Sequence, residues 1–366
     1  MKVREVSIKD YNKIKKLFKR NHLKMINLNK WKNLWNKNPI LLNKKKWIKG
    51  WVLESNKNEV VGHIGNFPMQ YFLNKKSYLC SVLNGWVVDK KFRSISMLLI
   101  RKYFSQKNVD FFLGTSFGFT TSKIMQAMNG KAVPTVDLDT SLIIILKSIS
   151  IPKYFFGKVS FPFKSIVLKL LSLILVFFLK GRFNFWKNNF SNENITKCSS
   201  FDNRFNIMWK KIKLKKKNKL LFNRDKNWLR WHLDHLLKTN KAWIFVNIKN
   251  NKTMGYSICI EKENLENKIK SALLVDLITL DDNSNMSRNL IGANIKEAKK
   301  RNCDIFELRG FDKQNREYME FFKPFKKKLS LNSFYYKSRN RKLDKLLNNV
   351  SCWNPTYIDG DAIINL

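Results

Sequence analysis

The chain has 366 residues, 44% apolar and 13% aromatic, and its 71 Lys and Arg against 27 Asp and Glu give a formal charge of +44. That length and apolar content exclude a disordered chain and predict two domains of ordinary size, each able to bury a core. The charge points to nucleic acid or an anionic membrane, but lysines outnumber arginines 57 to 14, and nucleic-acid interfaces favour bidentate arginine, so nucleic acid is not an expected partner.

The opening "MKVREVSIKD" has no apolar signal region, which predicts a cytoplasmic chain. Ser7 and Asp10 then form a capping box for a helix whose apolar face is Ile8, Tyr11, Ile14, Leu17 and Phe18. Trp31 and Trp35 precede "GWVLESNKNEVVGHIG", a strand, an Asn/Lys turn and a second strand carrying His63. Next, "NGWVVDKKFRSIS" is a β-branched run ending at Asp89, a charged turn with Arg93, and the start of a helical stretch. A short strand follows, "NVDFFLG" from Asn108, then "TTSKIMQAMNG", which closes at Gly130. The glycines and lysine of "GTSFGFTTSK" lack GxxxxGK[ST] spacing, so no P-loop is expected.

Residues 165–179, "SIVLKLLSLILVFFL", lie between Lys164 and Lys180. Fifteen helical residues span about 22 Å, short of a hydrocarbon core of ~30 Å, so this helix does not cross a bilayer unaided. Ser165, Lys169 and Ser172 form one polar stripe on it. It fits either a helix buried between domains or an interfacial helix on an anionic membrane.

Beyond the linker the landmarks return in the same order. Phe201, Phe205, Met208 and Trp209 fall at helical spacing. Trp228 and Trp231 precede a second hairpin, "AWIFVNIKNNKTMGYSI", and "DLITLDDN" matches "NGWVVDKK". The strand "NCDIFEL" matches "NVDFFLG", and "NREYMEFFKPF" follows. Trp51 stands 11 residues before Gly62, and Trp243 12 before Gly255; Asp89 stands 19 before Asn108, and Asp281 21 before Asn302. A duplicated α+β unit follows, with residues 1–145 as the first copy, 146–197 as an apolar helical linker and 198–366 as the second. Cys80, Cys198, Cys259, Cys303 and Cys352 stand singly, so neither a zinc site nor a disulfide framework is expected. Asp359, Gly360 and Asp361 look like a metal loop but lack further oxygen ligands, and a turn is the expected reading.

The Val87-to-Ser96 stretch resembles motif A of the GNAT acyltransferase superfamily, in which a strand ends in valine and an Arg/Gln-x-x-Gly-x-Gly/Ala loop opens a helix on the pyrophosphate of acyl-CoA. Such a helix start offers backbone N–H groups and a partial positive charge to an anion. Arg93 matches the motif, whereas Ser96 and Leu98 stand where it has glycine. Two units with "WNPTYIDGD" near the end are also similar to acyltransferases of bacterial surface-polysaccharide gene clusters and, in architecture, to Fem-type aminoacyl transferases.

The resemblance implies two GNAT-like units, each a mixed, mainly antiparallel sheet flanked by helices. It implies acetyl-CoA or another acyl-CoA as co-substrate, held by Val87, Val88, Arg93, Ser94, Ile95 and Ser96, with no metal. The implied acceptor is a small-molecule amine, an amino sugar in nucleotide-linked or lipid-linked form, acylated at the inner membrane during envelope polysaccharide synthesis. Acyl transfer needs a base for the amine proton. The position five residues before Asp89 is Asn84, and the position five before Asp281 is Asp276, so only the second unit offers an acid there. Asp276 is a candidate base or a strand-end residue paired with a lysine. His63 is a candidate base or a structural histidine, and Tyr318 a candidate general acid or a packing residue. A Fem-like enzyme using charged tRNA and a catalytically inactive GNAT-fold binding protein are the alternatives.

Overall fold

Alternating apolar residues near the start and the middle of the chain seed two sheets in a computed structural model, which describes residues 1–43, 46–135, 137–147, 166–174, 177, 194–264, 268–329, 333–361 and 364. The first sheet runs in the order Lys2–Glu5, Gly50–Glu54, Val60–Leu73, Lys76–Val88, Phe111–Phe117, Ser333–Ser338 and Lys131–Ala132, with Leu221–Phe222 pairing onto Val60–Leu73. The second runs Phe325–Lys328, Thr140–Ile145, Ile305–Leu308, Ile269–Thr279, Lys252–Asn264, Ala242–Lys249 and Ile195–Cys198. Both are mainly antiparallel. Each has one parallel pair, Lys76–Val88 with Phe111–Phe117 and Ile269–Thr279 with Ile305–Leu308. The architecture is α+β in two corresponding units.

The units exchange a strand. Thr140–Ile145 follows the first unit in sequence but lies in the second sheet, pairing Ile145 with Ile305 and Ile143 with Phe325. Its isoleucine run is buried on both faces, as an interior strand requires. In return Ser333–Ser338 enters the first sheet, pairing Tyr336 with Leu113 and with Lys131. No single cut in the sequence therefore separates the sheets, and one apolar core runs between them through Tyr71, Phe222, Trp228 and Tyr256. A second core lies beneath the helix Met97–Phe104, where Leu99, Ile100, Tyr103 and Phe104 face the sheet at helical spacing. Tyr103 and Phe104 meet Phe112 at ring-centroid distances of 5.2 and 5.0 Å. Each such buried ring contributes about 1.5–3 kcal/mol.

The capping box of Ser7 and Asp10 is present, on a short 3-10 turn (Ile8–Asp10) that leads into the helix Tyr11–Arg20. The short opening strands Lys2–Glu5 and Ile195–Cys198 were not expected, since each is four residues long and largely exposed. Between the units, residues 166–174 are helical. Leu168 and Ser172 are buried, while Ile166, Leu170, Leu173 and Ile174 are exposed. Ser165 and residues 175–176 and 178–179 of the predicted segment lie outside the described residues. Among the described residues, no helix is long and apolar enough to cross a membrane.

Candidate active site at the splayed strands

In both units the parallel pairing covers only part of the longer strand: in the first the two strands separate midway, and in the second the shorter strand ends while the longer runs on. Pairing in the first covers Cys80 with Phe111, Ser81 with Phe112 and Val82 with Leu113, and stops, although the strands continue to Val88 and Phe117. In the second it stops at Leu274 with Leu308, although the longer strand continues to Thr279. A bulge sits beside each opening. The register slips between His63 and Gly65 against Val87 and Asn84, and between Ile258 and Cys259 against Asp276 and Leu274. A bulge bends its strand and increases local twist, which helps to separate the parallel neighbours. Gly85 takes a φ of +58° at the first bulge, a conformation that favours glycine.

The second opening is filled by protein. Arg224 Nε donates to both Asp276 oxygens at 3.1 Å, and an Arg224 terminal nitrogen donates to Asp359 at 2.9 Å. Asp276 also accepts from the hydroxyls of Tyr256 at 2.7 Å and Thr356 at 2.9 Å. Arg224 and Asp276 are almost fully buried, at 1% and 0% exposed. The Ile358 N–H donates to the Val275 carbonyl, so the C-terminal segment lies against the separated strand. Burial opposes the Arg224 charge, but Asp276 and Asp359 outweigh it and raise the pKa, so the guanidinium stays charged. The partner of Asp276 is thus an arginine rather than a lysine, and its carboxylate is enclosed by Arg224, Tyr256 and Thr356.

The first opening is different. Two residues beyond Asp359, the Asp361 carboxylate accepts from Thr115 Oγ1 at 2.7 Å, from Ser116 Oγ at 2.8 Å and, at a longer 3.4 Å, from the Asn84 side-chain amide. Thr115 and Ser116 lie on one separated strand and Asn84 on the other. Gly360 permits this approach. Its φ is +143°, and a Cβ there would meet Thr115 Oγ1 at 2.3 Å. Burial pushes the Asp361 carboxyl above its ordinary range, against the hydroxyls and amide that pull it down. Asp361 itself is buried, but Ser116 is exposed and Asn84, Gly85 and Trp86 are half-buried, so the mouth of the opening reaches solvent.

At the end of the same strand the sequence folds into a 3-10 helix, Lys90–Ile95, which runs into Met97–Phe104. Asp89 is held by Arg20 at 2.7 Å and Asn21 at 2.7 Å, which fixes where the strand stops. Arg93 and Ser94 are exposed, Ile95 is half-buried and Ser96 is buried. Among the described residues, no side chain caps this helix start. The corresponding helix of the second unit, Ser284–Lys300, is capped by Asn283, whose side chain accepts from the Met286 N–H. Asp281 and Asp282 beside it pair with Lys215 and Lys216. Arg288 lies inside that helix with its guanidinium 4.6 Å from the Phe321 ring centroid.

The three predicted catalytic residues are held in separate networks. His63 is buried with Nδ1 2.8 Å from the Gly85 carbonyl, so Nδ1 carries the proton, and among the described residues Nε2 has no hydrogen-bond partner. Burial lowers its pKa to about 4, and a neutral ring in this position shapes the bulge. The Tyr318 hydroxyl donates to the Asp282 carbonyl at 3.1 Å, and burial raises its pKa. Asp276 belongs to the Arg224 cluster. Sequence reasoning misses Asp361 as a candidate base; its only signal is the "DGD" turn, whose two carboxylates diverge into different units. Among the described residues, no group of His, Cys, Asp and Glu is arranged to hold a metal.

No family model matches the sequence, and no curated protein resembles it closely enough to be matched by sequence. Solved structures do resemble it in fold. N-myristoyltransferase of Saccharomyces cerevisiae with bound myristoyl-CoA is 13% identical, with a TM-score of 0.57 over 92% of this chain and 78% of that one. A probable N-acyltransferase from Enterococcus faecalis is 10% identical, with a TM-score of 0.56 over 92% and 72%. A GCN5-related N-acetyltransferase from Anabaena variabilis is 10% identical, with a TM-score of 0.55 over 93% and 73%. The fold is that of the GNAT N-acyltransferases, with two units in one chain.

Proposed function

We propose that this protein is an N-acyltransferase that moves an acyl group from acyl-CoA to an amine, with the chemistry in the first unit. The observation that carries the reading is the contrast between the openings: the first has an uncapped helix start, a solvent-reaching mouth and a carboxylate brought in by Asp361. Acetyl-CoA or a longer acyl-CoA would set its pyrophosphate at the Val87-to-Ser96 stretch, against helix N–H groups and Arg93. Its amide-bearing arm would find unpaired backbone between the separated strands. The amine nitrogen bonds to the thioester carbon and the C–S bond breaks. The amine proton passes through the exposed Ser116 hydroxyl to Asp361 and then to the departing thiolate, giving an amide and free CoA. A raised carboxyl pKa suits that task near neutral pH.

The acceptor class follows the sequence resemblance, an amino sugar or related amine in cell-envelope polysaccharide synthesis, at the cytoplasmic face of the inner membrane. The exposed Ile166, Leu170, Leu173 and Ile174 support contact of the linker helix with an anionic membrane surface. Millimolar acetyl-CoA is expected to raise the melting temperature, because a ligand that binds only the native state stabilises it by mass action. Acyl-CoA consumption is expected to require an amino-sugar acceptor. No thermal shift with acetyl-CoA or with longer acyl-CoAs overturns the reading.

A further inference from the structure

The helices Leu28–Asn36 of the first unit and Lys226–Lys238 of the second face each other across a cavity of about 570 Å³, within the size range of small-molecule sites. Trp231 locks the two together by donating Nε1 to the Asn33 carbonyl at 2.9 Å. Lys30, Lys37, Arg230 and Lys238 line the cavity, with Asp234 as the one acid. Among the described residues, Lys37 and Lys238 form no ion pair, nor does Asp234. Arg230 spends only its Nε, on the Phe201 carbonyl at 3.0 Å, so both terminal nitrogens stay available. Positive groups gathered around a hollow repel one another unless an anion joins them.

His232, 8% exposed, sits in the cavity wall with its ring packed on Trp231 at a centroid distance of 4.3 Å, which fixes the indole beside the hollow. His235 also lines the cavity, and its ring can donate an N–H to an anion there. Ile364 forms another part of the wall, and its N–H donates to the Asp361 carbonyl at 3.0 Å. Residues so joined across one turn lie within about 7 Å of each other at Cα. The cavity wall therefore includes a residue one turn along the chain from the proposed base.

We propose that this inter-unit cavity binds the diphosphate of the acceptor, with Arg230, Lys37 and Lys238 on the phosphates and the fixed indole of Trp231 beside the group attached to them. This rests on the acyltransferase reading above and specifies its acceptor as an amine carried on a diphosphate, nucleotide-borne or lipid-borne. A stacked base on Trp231 favours a nucleotide, and a polyprenyl chain favours the membrane.

The test titrates the full chain with inorganic pyrophosphate and with UDP, by calorimetry and by tryptophan fluorescence. Both are expected to bind, more weakly in high salt. Arg230→Ala is expected to weaken both roughly tenfold, and Lys37→Ala and Lys238→Ala severalfold each. Lys37 and Lys238 are exposed, so these two variants keep the test valid if Arg230→Ala unfolds. With the acyl-CoA site filled by saturating CoA, Arg93→Ala is expected to leave pyrophosphate and UDP binding in the cavity within about twofold, and the cavity variants are expected to leave acetyl-CoA binding unchanged. Tighter binding of UDP than of pyrophosphate assigns a nucleotide-borne diphosphate, whereas displacement of pyrophosphate by vesicles containing a polyprenyl diphosphate assigns a lipid-borne one. Unaltered affinity in all three cavity variants, or an equal loss in Arg93→Ala, overturns the proposal. A chain that binds UDP in the cavity but no acyl-CoA leaves this site standing and sinks the acyltransferase reading alone.

Discussion

The two units open the same strand pair beside the same bulge and then use the gap in opposite ways. In the second unit, Arg224, Thr356 and Asp359 fill it and Asn283 caps the nearby helix. In the first, the mouth of the gap reaches solvent, no side chain among the described residues caps the helix start, and the polar group inside comes from the far end of the chain. The second unit's opening is closed by a buried ion-pair anchor, and the first unit's holds the candidate site. The anchor serves the site directly, because Asp359, which binds Arg224, is two residues from Asp361. Arg224 therefore helps to fix the chain segment whose next carboxylate reaches into the first unit.

The largest way to break this contrast is to remove the anchor. Arg224→Met leaves Asp276 and Asp359 buried without their cation, and stability is expected to fall by about 3–5 kcal/mol in urea titrations. Combining it with Asp276→Leu is expected to recover some of that loss, since it removes one of the two buried carboxylates left without a cation. If Arg224→Met unfolds at the wild-type urea midpoint, the anchor has no structural weight.

Next is the bulge that the first unit holds with a histidine. His63 keeps a folded pKa of about 4 against an ordinary 6.5. Below pH 6.5 the unfolded chain takes up a proton that the folded chain refuses, so stability is lost as pH falls from about 6.5 to about 4 and is fully present above that window. The size is on the order of 3 kcal/mol. His63→Gln is expected to make the stability profile shallower across this window, although the similarly buried His232 still contributes to it. Parallel profiles for variant and wild type mean that His63 is charged in the fold.

A smaller effect separates the two helix starts. Arg93→Ala is expected to weaken acyl-CoA binding roughly tenfold, the loss of one charge-assisted contact of about 1.5–3 kcal/mol, with the fold intact because Arg93 is exposed. Arg288→Ala is expected to leave that affinity nearly unchanged, since Arg288 lies in the helix body against Phe321. Equal losses in calorimetry contradict a single site in the first unit.

The repeat was legible in the sequence because it is written in local patterns. The hairpins at Trp51 and Trp243, the strand ends at Asp89 and Asp281 and the capping box at Ser7 each depend on neighbours a few residues away. The strand exchange was not legible. "TSLIII" reads as a buried strand, but nothing in it names Ile305 as its partner across 160 residues. The same limit hid the candidate base. Alignment of the copies pointed to Asn84 and left the first unit without an acid, yet Asp361 reaches Asn84 from 277 residues away. Asp276 was visible as the matching acid, but Arg224, which occupies it, sits before a helix with no motif around it. The linker could be read as core or as interfacial, because composition alone does not decide which face of a helix meets the protein.

The central claim is that Asp361 completes the first unit's site. Its most direct test is Asp361→Asn, with turnover and acyl-CoA affinity measured together across pH. Turnover is expected to fall by roughly a hundredfold or more, with acyl-CoA affinity within about twofold and the acidic limb of the wild-type pH profile absent. Asp361→Asn turning over at the wild-type rate with the same acidic limb would contradict the account.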